Sequence, residues 1–82
     1  MNLEQTATVL AMVALVESRT FTNEQIGAWQ SLLRDVEFEH AKQAVIKYYQ
    51  SSTDAMKPAH IFKLSKDIKT ELKKAHYGNF DS

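Results

Sequence analysis

Cysteine is absent from this 82-residue chain, which excludes a disulfide framework and any thiolate-held zinc. Proline occurs once and glycine twice, too few for a phosphate-cradling glycine loop. No internal repeat, low-complexity tract or strand candidate of useful length occurs either. The longest apolar run, residues 7–16, falls short of the about 20 residues that cross a bilayer. Residues 1–5 contain Glu4 and neither Lys nor Arg, so the run also lacks the basic segment that opens a signal peptide. The expectation is a protein of a reducing cytoplasm with no membrane partner.

What is present fits one small domain. A chain of this length buries about 60–65% of the surface its unfolded form exposes, which leaves a modest core. The formal net charge is zero, but its distribution is uneven. Residues 1–40 carry two arginines against six carboxylates, a balance of −4; residues 41–82 carry eight lysines against four carboxylates, a balance of +4. The distribution, rather than the total, is the informative quantity for partners.

Helical periodicity runs through nearly all of the chain, and the pattern predicts an all-α, compact four-helix bundle. Asn2 caps a first helix with Gln5 at the capping-box position. From there to about Arg19 apolar residues fall on every side, which predicts a buried, central first helix. Thr22 and Gln25 form a second capping box, with Phe21 poised to staple onto Ile26. Ile26, Trp29, Leu32, Leu33 and Val36 then recur at helical spacing, and Gly27 inside this helix suggests a close helix–helix approach. After a break at residues 35–37, a third helix collects Phe38, Ala41, Ala44, Val45, Tyr48 and Tyr49 on one face. Residues 51–54 read as a loop, and Pro58 suits the first turn of a fourth helix. That helix has the stripe Ile61, Leu64, Ile68 and Leu72 and is expected to end near Ala75, with Gly78 and Asn79 as stops. The domain is therefore drawn at residues 1–76, with a frayed tail at 77–82.

No catalytic constellation emerges. Glu37-x-x-His40 is half of a carboxylate-bridged di-iron motif, but the second half and the facing glutamates are missing, so a helix-start carboxylate beside a surface histidine is the better reading. His60 and His76 are too far apart to form a local metal pair. No Gly-framed serine or Ser/His/Asp pattern marks a nucleophile. The expectations are no enzymatic activity, no cofactor, no metal and no small-molecule substrate. Trp29, Tyr48 and Tyr49 read as core, with one of the two tyrosines keeping its hydroxyl in water.

Nucleic acid is the harder case. Helices two and three could pose as a helix-turn-helix, yet Glu37, Glu39 and His40 would then meet the duplex, and carboxylates repel a polyanion. The fourth helix is the better candidate: Lys63, Lys66, Lys73 and Lys74 fall opposite its apolar stripe, flanked by Phe62 and Lys69. Phe62 falls at the edge of the stripe, which predicts a half-exposed ring beside lysines. The candidate partner-binding residues are therefore Phe62, Lys63, Lys66, Lys69, Lys73 and Lys74. An ordinary solvated lysine face gives the same pattern, and the ring of Phe62 could instead pack against Tyr77 and Phe80.

The order of an apolar helix, then Ala28-Trp29, Leu32-Leu33, Asp35-Val36-Glu37-Phe38, Ala41 and Ala44-Val45, then Pro58-Ala59-His60-Ile61, resembles one phage family. These are the bacteriophage replicative-helicase loader and inhibitor proteins, with related small proteins of actinobacterial phages and prophages. The resemblance spans roughly residues 7–74. It implies a small helical domain in a bacterial host cell that binds the hexameric replicative helicase, delivers it to an origin-bound initiator, and restrains it meanwhile. Family members carry a flexible C-terminal region that matters for helicase contact, whereas about residues 77–82 follow the fourth helix here, a departure that bears on helicase inhibition. A small DNA-binding regulator using the lysines of the fourth helix is the alternative.

Overall fold

Both predicted capping boxes form. The Asn2 side chain accepts from the Gln5 N–H (2.7 Å) while Gln5 Oε1 accepts from the Asn2 N–H (3.1 Å), and Thr22 with Gln25 repeats the pattern. These caps open α1 (Leu3–Glu17) and α2 (Asn23–Leu32); α3 (Phe38–Ser51) and α4 (Pro58–Asp81) follow. The computed structural model describes the backbone of residues 1–81 and the side chains of residues 1–72. No strand occurs among the described residues.

The packing order differs from a bundle built around its first helix. α3 is the shared element: α4 packs along one side of it, and α1, itself paired with α2, along another. Its small residues Ala41 and Ala44, both fully buried, with Val45 and Tyr48, provide the meeting surface. Thr6, Val9, Leu10 and Val13 of α1 are buried, but Leu15 is 85% exposed and Val16 59%. The expectation of an all-round buried first helix is therefore corrected. A helix needs neighbours on several sides to be enclosed, and α4 lies beyond α3 instead of closing over α1.

Three further expectations change. Gly27 faces open space, with nothing within 4 Å of where a Cβ would stand. It has no positive φ either, so close approach does not explain it. Gly27→Ala should raise stability by about 0.5–1 kcal/mol, checked by chemical denaturation, because alanine lowers the entropy lost on folding without meeting any neighbour. Leu72, assigned to the α4 stripe, is 53% exposed; the buried face of α4 is Ile61, Ser65 and Ile68, with Leu64 half-buried. The helix also continues past Ala75 and Gly78 to Asp81. A lone interior glycine costs about 1 kcal/mol and does not end a helix by itself.

The tyrosine expectation fails in an informative way. Neither hydroxyl is left to water. Tyr48 donates to the carbonyls of Asp54 (3.1 Å) and Ala55 (3.3 Å), and Tyr49 donates to the Glu17 carboxylate. Trp29, by contrast, is buried as expected, its ring meeting Phe21 edge-on at 5.6 Å.

Candidate functional site

The start of α4 is held by three side chains that face inward. Met56 and Ile61 are almost fully buried. His60 lies stacked on Tyr48, ring centroids 4.6 Å apart, and its Nδ1 accepts from the Lys57 N–H at 2.9 Å. His60 thus stands where a glutamate or glutamine closes a capping box, three residues beyond the cap. Pro58 occupies the first helical position, where its missing N–H leaves no bond unmade. With residues 56, 60 and 61 fixed against the core, Ala59 and Phe62 face outward.

Phe62 is 41% exposed, and the Lys66 ammonium sits over its ring, 4.9 Å from the centroid. The alternative packing of Phe62 against the chain end does not fit the helix. Residues 62 and 77 belong to one continuous α-helix, which at 1.5 Å per residue separates their backbones by about 22 Å. Lys63 and Lys69 are exposed on the same helix. Among the described residues Lys57, Lys63, Lys66 and Lys69 make no ion pair, whereas Lys42 pairs with Glu39 and Lys47 with Glu71. The side chains of Lys73 and Lys74 lie outside the described residues.

Two grooves flank Phe62, and they differ in chemistry. The first, of about 400 Å³, is lined by Leu32, Lys57, Pro58, Ala59 and Phe62. Its walls are apolar and no carboxylate faces it. The second, of about 250 Å³, brings Lys66 and Lys69 opposite Asp35, Glu37 and His40, with Val36 and Ser65 as floor. His40 is less a surface residue than expected: its side chain is 15% exposed and its Nδ1 lies 3.5 Å from Glu37. The hydroxyl oxygen of Ser65 is buried without a partner. No group of three or more His, Cys, Asp or Glu able to hold a metal occurs among the described residues, and no helix among them is long and apolar enough to cross a membrane.

Leu32, like Leu72, is a residue that periodicity misplaced. It continues the stripe of α2 on paper, but it is the last residue of that helix and is 64% exposed. The turn that follows is pinned from outside the helix: the Met1 amino group donates to the carbonyls of Arg34 and Val36, each at 2.8 Å, and Gln30 Nε2 donates to the Met1 carbonyl. Leu32, at the end of α2, lines one groove with Lys57, Pro58, Ala59 and Phe62 at the start of α4. The two signature stretches of the sequence, residues 28–38 and 57–61, therefore meet in space around Phe62.

A second cluster went unread in the sequence. The Glu17 carboxylate accepts from Tyr49 Oη, from the Met56 N–H (2.7 Å) and from Arg19 Nη1 (3.0 Å). Burial pushes this carboxyl up, and the hydrogen bonds from Tyr49, Met56 and Arg19 together with the Arg19 charge more than offset it, leaving it below its ordinary value. Burial and the adjoining carboxylate push the Tyr49 phenol well above its ordinary range. The Glu17 carboxylate and the Tyr49 hydroxyl are both engaged within the fold, which gives the cluster a structural role.

No family model, curated protein or solved structure matches this chain.

Proposed function

We propose that this chain is a non-enzymatic adaptor in phage DNA replication, contacting the host's replicative helicase, an origin initiator, or both through the outward face at the start of α4. The observation that carries the reading is Phe62, an aromatic ring 41% exposed on a rigid helix with a lysine over its face. Aromatic side chains flanked by charge are frequent anchors of protein interfaces, and the charges speed encounter with an acidic partner. The resemblance to helicase loaders supplies the class of partner. Asp35 and Glu37, across the groove from Lys66 and Lys69, make the same face a poor fit to a continuous run of phosphates.

Pull-down with purified chain against the host helicase and initiator tests the proposal. Capture of at least one is expected, with Phe62→Ala weakening it about tenfold or more while the protein stays folded. Capture of neither, or full affinity in Phe62→Ala, overturns it. Gel shifts decide the DNA-binding alternative: about four lysines on phosphates predict log affinity falling with log salt at a slope of about −3.6, and no affinity at low salt removes it.

A further inference from the structure

We propose that the groove between the end of α2 and the first turn of α4 docks an acidic peptide segment that inserts one large apolar side chain. The inference rests on the adaptor reading for which protein donates the segment, and on the groove itself for the chemistry.

The groove is apolar at its walls and basic at its rim. Leu32 and Phe62 stand 64% and 41% exposed across from each other, with Pro58 and Ala59 between them. Lone exposed apolar residues are ordinary on a surface, but here two large ones line one concavity. Ala59, Phe62, Lys63 and Lys66 are three or four residues apart along α4, so they share one helix face. Lys57 lines the groove directly and Lys66 covers one face of the Phe62 ring. Lys57 is thus the charged residue of the groove's lining, Lys66 stands next to it over the shared Phe62 ring, and no carboxylate lines the groove.

This charge pattern selects among occupants. A second copy binding through the same face would set Lys57, Lys63 and Lys66 against their own equivalents, since a two-fold interface opposes like surfaces. Nucleic acid finds no hydrogen-bonding floor for its bases between Leu32 and Pro58, and Asp35 and Glu37 stand on the neighbouring side of Phe62. A peptide with carboxylates flanking an aromatic or branched aliphatic residue satisfies both walls and rim. Ala59 to Phe62 is less than one helical turn, about 4.5 Å, so the groove takes one anchoring side chain and not a long strip.

An NMR titration of the isotope-labelled full chain tests this with three probes: a 12-residue Asp/Glu-rich peptide with one central Phe, the same peptide with Ser at that place, and a 12-base-pair DNA duplex. The first peptide is expected to shift the amides of Leu32, Lys57, Ala59 and Phe62. The Ser peptide should bind at least tenfold more weakly, and the duplex should leave Leu32 unmoved. Leu32→Ser, at an exposed position, should cut affinity at least fivefold with an unchanged melting curve, and Lys57→Glu should do the same by removing rim charge. Equal affinity for the two peptides, shifts centred elsewhere, a duplex that moves the same amides, or no shift at millimolar peptide each overturns the groove. The adaptor reading fails separately. Peptide binding without capture of helicase or initiator removes that reading and keeps the groove, while full capture by Leu32→Ser keeps the adaptor and removes the groove.

Discussion

Trp29→Ala should lower the free energy of unfolding by about 3–5 kcal/mol, the usual cost of deleting a buried indole. The ring is 8% exposed and is built into the same core as Val9, Leu10 and Leu33. A domain of this length has a total stability of about 4–12 kcal/mol at ordinary values per residue. The loss is therefore a large part of what holds the chain folded. Phe21 would lose its edge-on partner as well, and Arg19, whose guanidinium lies 4.4 Å from the Phe21 ring, would be less well placed. Urea denaturation at neutral pH measures the effect. A loss below about 1 kcal/mol would mean that the indole is not enclosed in solution, and the packing of α1 on α2 would need redrawing.

Glu17→Gln should cost about 2–4 kcal/mol, because three donors, two of them from distant parts of the chain, converge on one carboxylate and hydrogen bonds to a charged acceptor are the stronger kind. A glutamine keeps the size but turns one oxygen into a donor; Tyr49 and Met56 share Oε2 while Arg19 takes Oε1, so either Arg19 or both of the others lose their acceptor. The pH dependence follows from the directions of the two shifts. The Glu17 carboxyl lies below its ordinary value of 4.5 in the folded state. The unfolded chain therefore binds more protons near that pH, and the contribution is complete above 4.5 and lost as pH falls through the folded value. The Tyr49 phenol is raised above its ordinary value of 10.0, so its contribution is complete below pH 10 and is lost as pH rises beyond it. Denaturation curves at acid, neutral and alkaline pH should show both slopes in the natural chain and both reduced in Glu17→Gln. Unaltered slopes would place the carboxylate in solvent.

The helix count, the two capping boxes and the Pro58 start were legible because each is a local signal, carried by residues within one turn of each other. The one-sided burial of α1 was not. Hydrophobicity along residues 7–16 states what each side chain prefers, while the position of α4 decides which side finds a neighbour, and nothing within α1 encodes that. Leu32 shows the same limit at a helix end: its phase matches the buried stripe, but the helix stops there and the wall it would need is missing. Phe62 was legible at the edge of its stripe from angle alone. Its companion Leu32 was not, because it ends a different helix, thirty positions earlier in the chain. Glu17 is the extreme case, with Tyr49 and Met56 lying 32 and 39 residues further along the chain.

The fold does not turn the charge split of the sequence into two opposed flanks, because it folds Asp35 and Glu37 of the first half back onto Lys66 and Lys69 of α4 in one groove. On that side of Phe62 an approaching charged body meets cation and anion together, and their fields largely cancel a short distance away. On the other side Lys57 stands in a lining without carboxylates. Whatever attraction the face exerts is therefore local to that edge, felt at close range and weakened by salt, and not a pull on the molecule as a whole.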